Sequence, residues 1–262
     1  ILSIIANVGV LAIFKYYNFF TENVNTLLHS CNIATYSLPY LNIILPVGLS
    51  FHTFQAMSYT IEVYRGNQKA ERHFGIYALY VMFYPQLVAG PIERPQNIIH
   101  QLRENHDFDY NRVIAGLRMM IWGLFKKVVI ADRLAQLSDS AYANSGNGDG
   151  FLSLLGVIAF AFQIYCDFSG YSDIALGSAK VMGYNLMTNF NIPFISRSIS
   201  EFWRRWHISL SSWFNDYLFT PIITAKRDWG KAAVVFGLFI TFFLSGLWHG
   251  AGWTFVIYGS LH

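Results

Sequence analysis

The chain has 262 residues, of which 54% are hydrophobic, 18% aromatic and 13% charged, and its formal net charge is +3. Soluble globular chains carry about 25% charged residues, so this composition excludes an ordinary soluble domain and predicts a polytopic, all-α integral membrane protein. The small net charge, with the basic residues gathered in loops, fits membrane topology and excludes a nucleic-acid-binding protein. The two cysteines, Cys31 and Cys166, lack the spacing of a disulfide framework or a metal site, so no metal is expected.

The first apolar run covers residues 1–20, about the length that a helix needs to cross the bilayer. Lys15 interrupts this run, and we expect it near the end of the span, where its ammonium group reaches the interface. Residues 21–37 are polar and contain no lysine or arginine, so they are predicted to lie outside.

A second span is predicted over residues 38–60, with a kink at Pro46 because proline removes a backbone donor. His52 and Gln55 lie in this span. Since polar groups are costly in hydrocarbon, we expect both to face the interior of the protein. A packing role for His52 remains the alternative to a functional one.

Residues 74–92 are apolar but end in two prolines and a glycine, which do not suit a straight span. Four arginines follow within residues 93–118. A complete crossing would place them outside, against the positive-inside rule, so a re-entrant segment is predicted.

The next span is predicted over residues 113–131, around Lys126 and Lys127. The lysine pair is compatible with a position at the interface or in the protein interior, and the sequence does not choose between them. Residues 132–150 are predicted to form an external polar loop.

A further span begins at residue 151 and runs into a polar stretch at residues 166–173. Asp167, Ser169 and Asp173 of this stretch are candidates for polar groups that line an interior passage.

Seven basic residues between positions 177 and 231 place that region on the cytoplasmic side. Within it, residues 199–218 carry apolar and aromatic side chains at helical spacing, which predicts a single amphipathic helix at the membrane. Residues 232–248 are predicted to form a span that delivers His249, and residues 251–261 begin another.

Two histidines lie in aromatic, glycine- and serine-rich surroundings: His207 in Trp-Arg-Arg-Trp-His and His249 in Leu-Trp-His-Gly. A neutral imidazole can take a proton from a hydroxyl group and return it to a leaving thiolate, which acyl transfer from a thioester requires. A structural role for both histidines is about equally compatible with the residues alone.

Arg204 and Arg205 precede His207 and suit either cytoplasmic anchoring or the recognition of donor phosphates by guanidinium groups. Trp203 and Trp206 flank them and are assigned with them to the predicted donor site. The chain contains no phosphate-binding loop, no clustered histidines of a di-iron oxygenase and no Gly-x-Ser-x-Gly motif, which disfavours those enzyme classes.

Five motifs in the same order closely resemble those of the membrane-bound O-acyltransferase family, in the branch of the alginate O-acetyltransferase membrane subunit and the D-alanyl transfer protein of teichoic acids. They occupy residues 45–59, 83–92, 163–172, 201–211 and 246–251. After Tyr217 the chain departs from the Gly-Gly-Asn-Arg-like turn of alginate-type members. This departure weakens any inference about the acceptor polymer.

The resemblance implies one membrane domain over residues 1–262, a helical bundle with re-entrant segments around a central funnel, in the bacterial inner membrane. It places His249 at the family's essential histidine and His207 at the second active-site position. Family members are longer, so the resemblance also implies that this chain is a fragment of such a domain, without the family's early and late helices.

The resemblance further implies a cytoplasmic thioester donor, acetyl-CoA, with no resident cofactor, and an extracytoplasmic polysaccharide acceptor. Membrane lipid surrounds such a protein, and a separate periplasmic acetyltransferase is the expected partner. In this scheme His249 is the general base, and His207 positions the donor or stabilises developing charge. The alternatives are a transporter or channel with a histidine proton relay, and a non-catalytic scaffold of a secretion complex.

Overall fold

A computed structural model of the protein describes residues 1–31, 37–43, 46–144, 146 and 149–262. Every regular element within these ranges is a helix, which confirms the all-α prediction. The chain divides into two compact units. The middle unit is Glu71–Ser211, and the split unit combines Ile1–Ala70 with Ser212–His262. The single membrane domain expected from the sequence stays a prediction.

Twelve α-helices follow one another within the described ranges, joined by short 3₁₀ turns and two π-helical stretches. They are α1 (Leu2–Ser30), α2 (Leu49–Tyr64), α3 (Phe74–Val81), α4 (Pro95–Ile98), α5 (Tyr110–Leu124), α6 (Asp132–Ala143), α7 (Gly150–Met182), α8 (Ile199–Arg205), α9 (Ile208–Phe214), α10 (Thr220–Ala225), α11 (Lys231–His249) and α12 (Trp253–Leu261). The 3₁₀ turns are Tyr84–Gln86, Gln101–Arg103, Pro193–Ile195 and Arg227–Trp229, and the π-helical stretches are Phe125–Ala131 and Asn215–Phe219.

Three of the described helices are long and apolar enough to cross a membrane: α1, α7 and α11. The spans predicted to begin at residue 151 and to cover residues 232–248 are therefore confirmed, and α12 occupies the stretch predicted to begin another. The 16 residues of α2 and the eight of α3 are fewer than the ~20 that a crossing helix needs. The re-entrant path of residues 74–92 and the central funnel stay predictions.

Helix α1 does not end with the apolar run at Phe20 but continues to Ser30. Side chains of its polar second half bind neighbouring backbone. Asn25 is buried; its side chain donates to the Leu38 carbonyl at 3.0 Å and accepts from the Leu38 N–H at 2.7 Å. The outside location of residues 21–37 stays a prediction, and residues 32–36 lie outside the described residues.

The predicted span over residues 38–60 is also wrong in its first half. Residues 37–43 are not helical, and α2 begins at Leu49 after Gly48, whose φ of 76° lies in the left-handed region. Pro46 therefore precedes a helix start and does not kink a continuous helix, as its missing donor favours. Leu45, where the first family motif starts, lies outside the described residues.

The external loop predicted over residues 132–150 is helical as far as Ala143. The chain runs without a break from α5 through the π-helical stretch Phe125–Ala131 into α6. Packing explains this extension. Ala141 of α6 is fully buried, and a β-carbon on Gly156 of α7 would lie 2.6 Å from the Ala141 methyl group, so the two helices approach closely here. Residues 145, 147 and 148 of the predicted loop lie outside the described part of the chain.

Helices α5 and α7 pack antiparallel along a seam of four glycines. A β-carbon on Gly123 would lie 2.5 Å from the Gly170 carbonyl oxygen, and one on Gly116 would lie 2.6 Å from that of Gly177. The seven-residue spacing keeps both glycine pairs on one seam. Small residues let helix backbones approach in this way where lipid supplies no hydrophobic driving force. The seam fixes the register of α7, which carries most of the polar groups described below.

We predict that Gly123→Ala lowers the melting temperature of the purified protein, because the new methyl group collides with a backbone carbonyl that cannot rotate away. Overpacking of this kind costs about 1–3 kcal/mol. The control is Gly9→Ala in α1, where a β-carbon would meet no atom within 4 Å. This control should be neutral or slightly stabilising. Equal melting temperatures for Gly123→Ala and the unsubstituted protein would contradict the seam.

Candidate active site

His207 occupies a break between two helices. The single amphipathic helix predicted over residues 199–218 is wrong, because α8 ends at Arg205 and α9 begins at Ile208. The φ angle of His207 is 43°, a left-handed conformation that costs a non-glycine residue about 1–2 kcal/mol. Such strain persists where the surrounding structure holds it, and it is concentrated at functional sites. The imidazole is also buried, with 2% of the residue exposed.

Asn189 holds His207 in place. The Asn189 Oδ1 atom lies 3.0 Å from His207 Nδ1, and it accepts from the Ser209 hydroxyl at 2.9 Å and from the Ser209 backbone N–H at 3.3 Å. The Asn189 amide nitrogen donates to Ser172 of α7 at 3.2 Å. The Asn189 carbonyl accepts the Ile208 N–H at 2.9 Å. Asn189 therefore caps the start of α9, whose first N–H groups have no partner within the helix.

The segment that carries Asn189, residues 184–192, is itself anchored at alternate positions; we call it the α7–α8 segment. The Gln101 side chain makes two hydrogen bonds with the Asn185 backbone, at 2.8 and 3.0 Å. The Glu93 carboxylate accepts the Met187 N–H, and the Asn191 N–H donates to the Arg205 carbonyl at 2.9 Å. These bonds fix the segment on both sides of Asn189.

Glu93 is fully buried, and this desolvation raises the pKa of its carboxyl group above the ordinary value. The Met187 N–H and, at 3.3 Å, the Asn97 side-chain amide act in the opposite direction, because they stabilise the carboxylate. The Glu93 carboxyl group therefore has hydrogen-bond donors of the protein in place of water, and through them it holds the α7–α8 segment.

Aromatic rings surround the histidine. Phe168 of α7 meets the His207 ring edge-on at 4.6 Å between centroids, and Phe190 lies at 6.4 Å. Trp206 packs against Phe190 at 5.1 Å and stacks on Phe202 at 5.6 Å. Trp206 therefore lies beside His207, in the same aromatic cluster.

The two arginines before His207 differ in their surroundings. Arg205 donates from Nε to Glu201 at 2.9 Å and from Nη1 to the Asn191 carbonyl at 3.2 Å. The Arg197 backbone N–H and the Arg205 guanidinium lower the pKa of Glu201. Arg204 is exposed and donates from Nε to the Ser200 carbonyl at 3.3 Å. Trp203, the other predicted donor-site residue, contacts Phe202 at 5.5 Å.

His249 lies in the split unit, at the last position of α11. Its ring is 4.8 Å from that of Trp248 and 6.0 Å from that of Tyr258, and its side chain is exposed. Gly250 follows, and a β-carbon there would lie 2.1 Å from the Phe255 ring. The glycine after His249 is therefore required by space.

Helix α1 caps the end of α11. Lys15 Nζ donates to the Trp248 carbonyl, and the Tyr16 hydroxyl donates to the Leu247 carbonyl. The last carbonyls of a helix lack partners within it, and a cation there is also stabilised by the negative end of the helix dipole. Lys15 lies in the middle of α1, and its position near the end of a membrane span stays a prediction. Its charge supports the helix end that presents His249.

His52 and Gln55 both lie on α2, in the split unit. Gln55 is buried, with 1% of the residue exposed, and His52 is half-buried. On the same helix, the Phe54 carbonyl accepts the Trp213 indole N–H at 3.2 Å. That His52 and Gln55 line a passage stays a prediction, as does the meeting of His207 and His249 in one cavity.

The polar groups of α7 form an ionic network with the π-helical stretch Phe125–Ala131. Lys126 Nζ lies 2.6 Å from Asp173 and 3.0 Å from the Ser169 hydroxyl. Lys127 Nζ lies 2.8 Å from Asp167 and 2.7 Å from Asp132. Both lysines therefore bind carboxylates of the protein. Asp167, Ser169 and Asp173 bind lysine side chains within the middle unit, and their lining of a tunnel stays a prediction.

These motifs can now be compared with known proteins. The family model described as MBOAT, membrane-bound O-acyltransferase family, matches residues 72–262, which include the ionic network and both histidines. The chain belongs to this family. It is therefore an integral membrane protein, and the predicted inner-membrane location is confirmed.

Among its relatives, the probable alginate O-acetylase of Pseudomonas aeruginosa is 42% identical over 266 residues, covering 100% of this chain and 49% of the relative. The peptidoglycan O-acetyltransferase of Helicobacter pylori is 37% identical over 289 residues, covering 100% and 53%. The teichoic acid D-alanyltransferase of Bacillus subtilis is 29% identical over 231 residues, covering 86% and 58%. The chain spans about half the length of these relatives.

Asn189 was not among the residues singled out from the sequence. Its signal was present, because two asparagines flank Phe190 in the otherwise apolar sequence Asn-Phe-Asn-Ile-Pro at residues 189–193. A buried polar residue in such surroundings needs a partner. The partner, however, lies 18 positions along the chain, and no periodicity connects the two.

We predict that Lys126→Met lowers the melting temperature of the purified protein, because Asp173 loses its ion partner in the bilayer-spanning helix α7. Lys126 is 12% and Asp173 27% exposed, and the stranded carboxylate should cost about 1–3 kcal/mol. The double variant Lys126→Met/Asp173→Asn should recover most of that loss, because it removes both charges. The exposed Lys69→Met serves as control. The network is contradicted if the single variant is as stable as the control.

Proposed function

We propose that the protein of which this chain is part transfers an acyl group, acetyl in the first instance, from a cytoplasmic thioester to a hydroxyl group of a cell-envelope polysaccharide. Family membership and the relatives support this proposal, since the three relatives named above are an O-acetylase, an O-acetyltransferase and a D-alanyltransferase. The observation that carries it is the placement of both histidines within the matched residues, one of them buried, strained and held by a dedicated asparagine.

In the proposed reaction the acceptor hydroxyl oxygen attacks the thioester carbonyl carbon while His249 takes the hydroxyl proton. The new C–O bond forms, the C–S bond breaks, and the proton passes from His249 to the leaving thiolate. Atoms and charge balance without a metal or redox partner. General base catalysis of this kind contributes about 10²–10⁴-fold to the rate.

His249 is suited to this role by its position. It ends α11 next to Gly250, a position where the Phe255 ring leaves no room for a side chain. The Lys15 and Tyr16 hydrogen bonds hold the preceding carbonyls and so fix the end of the helix. His207 is the second histidine of the proposed site.

The donor is proposed to be acetyl-CoA, and its phosphates are proposed to bind Arg204. This arginine is exposed, whereas the guanidinium of Arg205 is engaged with Glu201. An exposed guanidinium group pairs well with phosphate oxygens. Arg205, Trp203 and Trp206 would then shape the same donor site, and a periplasmic acetyltransferase would receive or direct the acyl group.

We predict that His249→Ala and His207→Ala each lower the O-acetyl content of the envelope polysaccharide by about 100-fold or more in cells, because each removes an imidazole of the proposed site. The full-length protein should still reach the membrane in normal amount, as checked by immunoblot. The matched control is His100→Ala, a change of an exposed histidine whose Nδ1 lies 3.0 Å from the Gln96 carbonyl. This control should retain acetylation.

Consumption of acetyl-CoA by the protein in proteoliposomes separates this function from a transporter. Release of free CoA thiol that depends on His249 supports acyl transfer. Proton or solute flux without thiol release would instead favour the proton-relay transporter, and full acetylation by both histidine variants would favour a scaffold.

A further inference from the structure

We propose that Asn189 is a positioning residue that keeps the proton of the neutral His207 ring on Nδ1, so that Nε2 acts towards the substrate as an acceptor. The inference rests on the proposed function, in which His207 belongs to the active site, and it deepens that function. It assigns the direction of the hydrogen bond that His207 makes with its substrate.

The orientation of the Asn189 amide follows from its neighbours. The atom labelled Oδ1 lies 3.3 Å from the Ser209 backbone nitrogen, which can only donate. An amide nitrogen at that position would face a second donor, so the atom must be the oxygen. The Ser209 hydroxyl at 2.9 Å and the donation from Asn189 Nδ2 to Ser172 agree with this orientation.

The tautomer of His207 follows from that orientation. Asn189 Oδ1 is an acceptor and lies 3.0 Å from Nδ1 of the ring. Two acceptors at this distance would repel each other, so Nδ1 carries the proton and donates. In a neutral imidazole the other nitrogen then holds a lone pair. A partner that fixes one ring nitrogen thereby sets the chemistry of the other.

This tautomer decides between the two roles considered for His207. A neutral ring with its proton on Nδ1 cannot donate from Nε2 to a developing oxyanion. It can accept a hydrogen bond from a substrate O–H or N–H group, such as the acceptor hydroxyl or an amide of the pantetheine arm of a coenzyme A thioester. His207 therefore orients a substrate donor group, while His249 takes the hydroxyl proton.

Hydrogen bonds on both sides of Asn189 keep its side chain in contact with the His207 ring. Its neighbours at positions 187 and 191 are tied to Glu93 and Arg205. Contacts on the His207 ring include those from Phe168 of α7, from Asn189 and Phe190 of the α7–α8 segment and from Ser209 of α9. None of these four groups carries a charge, so a charge introduced at position 189 would act directly on the ring.

The test is the pH–rate profile of acetyl transfer by full-length protein in proteoliposomes, with acetyl-CoA as donor and thiol release as readout. Asn189→Asp keeps the shape and the oxygen acceptor but adds a negative charge beside Nδ1. The carboxylate stabilises the imidazolium, in which Nε2 is protonated and cannot accept. We expect the acid limb of the profile to move to higher pH by about one unit or more.

Asn189→Leu removes the acceptor and releases the tautomer, and its rate should fall about 10-fold or more across the profile. The control is Asn191→Ala, an exposed asparagine two positions along the same segment, which should keep the unsubstituted profile. Melting temperatures of all variants identify any loss that comes from unfolding, and the near-isosteric Asn189→Asp keeps the test decisive if Asn189→Leu fails to fold.

The His207→Ala variant distinguishes a failure of this inference from a failure of the proposed function. If His207→Ala is inactive and Asn189→Asp keeps the unsubstituted pH profile, the inference is overturned while the proposed function stands. If His207→Ala keeps full activity, the proposed role of His207 is overturned, and the inference with it.

Discussion

Polar groups inside an apolar helical protein have no water to bind, so each must find its partner within the protein. This constraint shapes both units. In the middle unit Lys126 pairs with Asp173 across the π-helical stretch and α7. In the split unit Lys15 donates to the Trp248 carbonyl near the end of α11. These charged residues therefore fix the packing of α7 against the π-helical stretch and of α1 against the end of α11, where His249 lies.

Asn189 is a buried polar residue of the candidate site, and it too finds its partners within the protein. Its side chain and carbonyl bind groups from α7, from His207 and from the start of α9. Each such hydrogen bond contributes about 1 kcal/mol net, and together they offset the about 1–2 kcal/mol of strain in the left-handed His207 backbone. The strained histidine is the position where two short helices part, and the asparagine replaces the missing helical hydrogen bonds. Asn189 thus holds the strained His207 backbone, caps α9 and sets the tautomer of the His207 ring.

The sequence predicted the long apolar helices well, because length and hydropathy alone decide them. Helices α7 and α11 begin within one residue of their predicted starts. The errors occurred where contacts with residues distant in the chain decide the structure. Asn25 keeps α1 helical beyond Phe20 by binding Leu38, and buried Ala141 keeps α6 helical against α7. Neither contact can be recognised from the pattern of neighbouring residues in the sequence.

At the candidate site, the motifs identified His207 and His249 but not the contacts that give them a role. The spacing of residues 199–218 favoured one helix, since every apolar position fits a single face. It could not show that His207 adopts a left-handed conformation, because this depends on Asn189, 18 positions earlier. The sequence also named Asp167, Ser169 and Asp173 as interior polar groups, yet their lysine partners became evident from the antiparallel glycine seam.

The most direct measurement of the central claim is the protonation of the His207 ring, observed by nitrogen-15 NMR of histidine-labelled full-length protein in lipid. The His207 signals are identified by their loss in His207→Gln. The account predicts, at a pH where the ring is neutral, a protonated Nδ1 with a directly bonded hydrogen and an unprotonated Nε2. A proton on Nε2 with a bare Nδ1 would contradict it.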